Sequence, residues 1–142
     1  AGGVVADVVA FLRQRLDAAV AAGVPVEATI LDPGPDFAKT PAQTVEVLRH
    51  LDEVRALGRP LLLALSRKDF IGAVTTRPPR ARLGGTLAAV GHVLGRPGTI
   101  LRVHDVDVVA DYLAVAAVLA GRADLPAHTR LADDLRREPS TG

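Results

Sequence analysis

Pro60-Leu61-Leu62-Leu63-Ala64-Leu65-Ser66-Arg67-Lys68 decides the fold: an unbroken apolar run that stops abruptly at three polar residues. A short run without alternation is what a strand covered on both faces looks like, as in a parallel sheet. Working outward, two further runs end the same way. Residues 27–31 lead into Asp32-Pro33-Gly34, and residues 99–103 lead through Arg102 to His104-Asp105. Helical patterns separate them. Residues 4–22 place Val5, Val8, Val9, Leu12, Leu16 and Val20 near helical spacing, with Gly23 as a C-cap. Residues 41–57 predict a second helix with Thr40 as N-cap, Pro41 in the first turn and Gly58 closing it. Residues 82–94 and 107–120 predict two more, the segment from Lys68 to Pro79 reads as a loop, and the polar tail after Gly121 holds a helical turn or two near 131–137. The strand ends at Leu31, Leu65 and Val103 recur at about one strand-plus-helix unit, the repeat of a right-handed parallel βα architecture. The fold class is α/β.

Composition narrows the function classes. The chain has 142 residues, 49% of them hydrophobic, enough for one domain with a real core. Its 17 basic and 16 acidic residues are interspersed and give a net charge of +1, which argues against nucleic acid as a partner. There is no Cys, and His50, His92, His104 and His128 show no metal-ligand spacing. The apolar start carries Asp7 and soon meets Arg13 and Arg15, so neither a signal peptide nor a membrane span is expected, and the cytoplasm is the default compartment. Fifteen of the 17 basic residues are Arg; both lysines, Lys39 and Lys68, fall in loops after strand ends. An ammonium is a compact, rotatable charge that a guanidinium does not simply replace.

In parallel α/β proteins ligands bind at the carboxyl ends of the strands. That rule brings Asp32, Arg67, Lys68, Arg102 and His104 to one rim, a set suited to a substrate with an amide-like edge and an anionic tail. On spacing alone Asp32 serves equally well as a helix N-cap or a strand-end solubiliser, and an isolated Lys68 as a solvated surface group. A closed βα barrel needs roughly 250 residues, so three strands suggest an incomplete one, in agreement with the absent initiator Met. A small three-layer α/β domain with a short open sheet is the alternative.

Four ordered motifs carry a resemblance. Leu31-Asp32-Pro33-Gly34-Pro35-Asp36-Phe37-Ala38-Lys39-Thr40, Ser66-Arg67-Lys68-Asp69-Phe70-Ile71-Gly72, Gly85-Thr86-Leu87-Ala88-Ala89 and Arg102-Val103-His104-Asp105-Val106 resemble the late strand-end motifs of the dihydropteroate synthase family, in its order and spacing. The resemblance implies a (β/α)8 TIM barrel of which residues 1–121 are the carboxyl-terminal part, strands six to eight and helices five to eight, with residues 122–142 a polar tail. It implies a transferase of folate biosynthesis that joins 4-aminobenzoate to dihydropterin pyrophosphate and releases pyrophosphate, with Mg2+ accompanying the diphosphate and a homodimer formed through the last helices. Carried over residue by residue, the substrate-binding set is Asp32, Phe37, Ser66, Lys68, Asp69, Arg102 and His104, with Lys68, Arg102 and His104 as the catalytic cations. No metal ligand is assigned to the protein. The isolated chain is expected to be inactive, because the family's earlier strands supply an Asn and Asp residues to the pocket and this chain has no Asn.

Three positions depart from the family pattern. Asp36 stands where Gly is usual before Phe, Ala64 where Gly is common two residues before Ser66, and Asp69 where a Ser often helps to hold the aminobenzoate carboxylate. Two like charges ~4 Å apart near a surface cost a few kcal/mol, so Asp69 is expected to repel that carboxylate unless Arg67 or another cation compensates. A non-catalytic pterin-binding or anion-binding paralogue is the alternative reading, and an unrelated phosphate-binding α/β domain a weaker third.

Overall fold

A computed structural model describes residues 3–137. Packing divides the chain after Val109. In the first unit the long opening helix α1 (Val4–Ala21) ends where Gly23 adopts a φ of +91° and Val24 donates its amide to the Ala19 carbonyl. That left-handed turn closes the helix as the Gly predicts. Helix α2 (Pro41–Arg49) opens on a complete capping box: Thr40 Oγ1 accepts from Gln43 N, and Gln43 Oε1 accepts from Thr40 N at 2.8 Å. The single helix expected over 41–57 is broken at His50, whose φ/ψ of −110°/29° leaves the helical region, and it resumes as α3 (Leu51–Arg55). At the break the His50 ring Nδ1 meets the Glu46 carbonyl at 2.9 Å, competing with the backbone for that acceptor.

Strand β1 (Leu61–Ala64) pairs in parallel with β2 (Thr99–Arg102), with Leu61 opposite Thr99 and Ala64 opposite Arg102. On its other side β1 meets Leu31 through one parallel bridge: Leu31 N donates to Pro60 O at 2.9 Å and Leu62 N to Leu31 O at 2.8 Å. The strand expected over 27–31 is therefore reduced to its last residue. Residues Val26–Ala28 form a 3₁₀ turn instead. Ala28 N donates to Pro25 O, Thr29 N to Val26 O, and the Arg59 guanidinium takes the Glu27 and Thr29 carbonyls, so local and side-chain bonds occupy the groups a ladder would use.

Between the strands run α4 (Asp69–Thr75) and α5 (Leu83–Val93); the first of these was expected to be loop. After β2 comes α6 (Val106–Leu119), close to the expected span, and a 3₁₀ turn at Asp133–Leu135 falls where the tail was expected to hold a turn. Leu61, Leu63 and Leu65 are fully buried, as are Leu51 and Val54 of α3 and Val90 of α5. Successive side chains of a strand point to opposite faces. With the leucines at 61, 63 and 65 on one face, Ala64 and Ser66 belong to the other, and the register adds Arg102 at the end of β2, His104 two residues beyond it and Asp32 from beside the bridge.

Two adjacent glycines of α5 separate packing from propensity. A Cβ on Gly85 would collide with the Ile71 side chain, which is itself buried, whereas one on Gly84 would meet nothing. Gly84→Ala should raise stability by up to about 1 kcal/mol, the helix-propensity gain. Gly85→Ala should lower it by about 1–2 kcal/mol net of that gain, because the core is already filled. Urea unfolding of the two variants checks the opposite signs; equal shifts would contradict the packing.

Candidate functional site

The loop after Leu31 is built from backbone conformations that L-residues resist. Gly34, Asp36 and Ala38 have φ of +64°, +64° and +49°. Asp32 Oδ1 accepts from Gly34 N at 2.8 Å and Phe37 N donates to Gly34 O, so Asp32 is both turn former and exposed carboxylate. Asp32 caps no helix; one of its oxygens serves the turn instead. Lys39 fastens the loop from within, its Nζ donating to Gly34 O at 3.0 Å and to Phe37 O at 3.1 Å. Burial pulls the Lys39 ammonium below the ordinary lysine range, and the nearby Asp32 and Asp36 carboxylates oppose that pull. Asp36 N donates to Thr44 Oγ1 of α2, which ties the loop to the helix behind it.

The second loop, after β1, is stitched to the first. Lys68 Nζ donates to Pro35 O at 2.8 Å and lies 4.7 Å from the centre of the Phe37 ring, a cation–π contact. Asp36 Oδ2 accepts from Asp69 N, the first residue of α4. This carboxylate supplies the cap that Lys68, the helix's own N-cap residue, does not make. Within the loop Arg67 has a φ of +61°, a conformation costing a non-Gly residue about 1–2 kcal/mol. Its amide donates to Thr86 Oγ1 and its guanidinium pairs with Asp105 at 2.9 Å. Ser66 Oγ accepts from His104 N at 3.1 Å and so joins the ends of β1 and β2.

Ser66, Lys68, Arg102 and His104 thus come together, lining a hollow of about 180 Å³ with Ala64 and Val103. The Arg102 guanidinium and the His104 ring make no hydrogen bond among the described residues and are exposed to a ligand. Asp32, Phe37 and Lys39 border a larger, open hollow of about 860 Å³ against α1. The Lys68 contact to Phe37 connects the two. Asp69 lines neither; its carboxylate is 3.0 Å from Arg82 Nη1 and 78% exposed. The compensating cation is thus Arg82, while Arg67 is engaged by Asp105. In the sequence Arg82 reads only as the start of a helix; in the structure Gly72 makes room for its guanidinium.

Cationic side chains at the ends of parallel strands thus share a sheet face with an exposed carboxylate. The model of the pterin binding enzyme family matches residues 1–104, and this chain belongs to that family. It is 40% identical over 119 residues to the dihydropteroate synthase of Synechocystis, covering 83% of this chain and 41% of the relative. It is 39% identical over 112 residues to that of Haemophilus influenzae, covering 79% and 41%. Among solved structures, Xanthomonas albilineans dihydropteroate synthase in complex with 7,8-dihydropteroate superposes with a TM-score of 0.79 at 40% identity over 84% of this chain and 46% of that one. The same enzyme with 4-aminobenzoic acid gives 0.79 over 84% and 44%. The fold is accordingly part of a TIM barrel, and the chain spans about two fifths of the length of the curated relatives it matches.

Asp36 offers a direct check on the stitched loops. Asp36→Ala should cost about 1–2 kcal/mol by removing the cap on Asp69 N while leaving a Cβ at positive φ. Asp36→Gly should cost less than half of that, since relief of the backbone offsets the lost acceptor. Equal losses in urea unfolding would show that the left-handed conformation is not maintained.

Proposed function

We propose that this chain forms the cation-bearing part of a dihydropteroate synthase site, acting in a complete barrel to join 4-aminobenzoate to dihydropterin pyrophosphate with release of pyrophosphate. The observation that carries the reading is the convergence of Lys68, Arg102 and His104 on one hollow, beside a carboxylate at Asp32 whose second oxygen stays available.

A pterin presents an N–H and an exocyclic amine side by side, and an ionised carboxylate is the acceptor-only group that can take both. Asp32 fills that role. Lys68 donates to the pterin carbonyl while its charge helps hold the diphosphate, giving up its hydrogen bond to the Pro35 carbonyl. Arg102 lays its plane over the flat ring and turns its edge donors to phosphate, which an ammonium does not do. His104 donates to the leaving oxygens, and Ser66 keeps its backbone in place. Phe37 forms an apolar wall beside the ring. As the carbon–oxygen bond breaks, negative charge builds on pyrophosphate, so preorganised cations stabilise the transition state more than the ground state. The attacking amine is nucleophilic enough without a dedicated strong base.

Magnesium, in this reading, arrives with the diphosphate and neutralises part of its charge. The donors beside the hollow are cationic or imidazole nitrogens, whereas Mg2+ takes oxygen ligands, so phosphate oxygens and water would hold it. Asp69, already paired with Arg82, borders the place of the second substrate as a tethered rather than a bare charge. We further place the protein in the cytoplasm as a homodimer. Support for the dimer comes from the exposed Val108, Val115 and Leu119, which lie along one side of α6 and which a second copy would cover. No helix among the described residues is long and apolar enough to cross a membrane.

The test is to assemble the chain with the upstream half of the Synechocystis relative's barrel and measure pyrophosphate release from dihydropterin pyrophosphate. Release should require 4-aminobenzoate and fall at least about 100-fold in Lys68→Ala, the scale of losing one preorganised charge donor. Pterin binding without release would favour the non-catalytic paralogue, in which Asp36, Ala64 and Asp69 have changed the site.

A further inference from the structure

We infer that Arg82, which lines neither hollow, is the positioning residue that sets the direction of Lys68. The inference rests on Lys68 being a working cation of the proposed site. The Arg82 guanidinium lies under the loop after β1, with its side chain only 11% exposed. Nη1 donates to the Arg67 carbonyl at 2.8 Å, to the Lys68 carbonyl at 3.1 Å and to Asp69 Oδ1 at 3.0 Å, while Nε donates to the Arg77 carbonyl at 2.8 Å. On the opposite side of the same residue, Thr86 Oγ1 accepts from Arg67 N at 3.2 Å, and Thr86 is fully buried. Both peptide groups around the Arg67 Cα are therefore gripped from the first turn of α5.

That grip matters because Arg67 is left-handed, with φ of +61°. A non-Gly residue stays there only where its surroundings over-determine it. Release of the Arg67 carbonyl lets the peptide between Arg67 and Lys68 relax toward the extended region, which turns the Lys68 side chain away from the hollow. Two features show that the place is built for a guanidinium. Its planar fork reaches several acceptors at once, as an ammonium on a flexible stem does not. Gly72 of α4 has no Cβ where one would collide with Nη2, Cζ and Nε of Arg82. The glycine is thus part of the same device.

The chain has two lysines, so labelling it with ¹³C-lysine and assembling it with an unlabelled upstream half gives one set of signals for Lys39 and one for Lys68. In Arg82→Ala and in Gly72→Ala the Lys68 methylene signals should move toward free-lysine values while those of Lys39 stay in place. Added guanidinium ion should restore them in Arg82→Ala, and Arg82→Lys should fail to. In the same assemblies kcat should fall about tenfold to a hundredfold, the scale of a small misplacement, with KM changed less than about threefold. Unmoved Lys68 signals in Arg82→Ala would overturn the proposal. So would collapse of both lysines together without rescue, which would assign Arg82 to stability alone. The signals report whether or not pyrophosphate is released, so failure of the transferase reading and failure of this one are distinguishable.

Discussion

Everything at this site depends on parallel register. Leu31 opposite Leu61, and Ala64 opposite Arg102, fix which side chains of three neighbouring segments share a face. A slip of one residue would send Ser66, Arg102 and His104 under the helices and bring leucines to the pocket. The fully buried Leu61, Leu63 and Leu65 oppose such a slip, since each would have to leave the core. Burying one such side chain is worth about 1.5–3 kcal/mol, so the apolar half of β1 holds the polar half of the site in place. The geometry of the rim is thus secured by hydrophobic burial beneath it.

Above the strands the constraint changes in kind. The loops that carry Asp32 and Lys68 hold Asp36, Ala38 and Arg67 at positive φ, and such backbone needs partners that reach across the chain. Asp36, Thr86 and Arg82 supply them, each bonding to a backbone group of the second loop, while Lys39 fastens the first from within. The charges of Lys39, Asp36 and Arg82 are thereby engaged in holding the two loops, and the exposed Asp69 carboxylate is paired with Arg82.

The parts of the fold written in local pattern were legible. The apolar run of β1, the Thr40-Pro41 start and Gly58 end of the second helical region, and the Gly23 stop are signals a few residues long, and the structure follows them. What escaped was set at long range. The strand over 27–31 was lost because Arg59, some thirty residues away, takes the carbonyls of Glu27 and Thr29. Helix α4 was missed because its N-terminal amide is capped by Asp36 from another loop, and because Gly72 and Thr75 weaken any helical signal in its seven residues. That Ser66, Lys68, Arg102 and His104 come together follows from their strand-end positions, which local pattern does reveal. Of the residues that hold that rim, Thr86 lies within the third motif of the resemblance, whereas Arg82 lies outside all four.

The central claim is that Lys68, Arg102 and His104 form one anion-binding unit. Titrating inorganic pyrophosphate into the assembled barrel, with this chain labelled for NMR, tests it most directly. Signals of all three residues should move together along one saturation curve, and Arg102→Ala should weaken the response at Lys68 and His104 alike. Shifts confined to one residue, or three curves with different midpoints, would contradict the account.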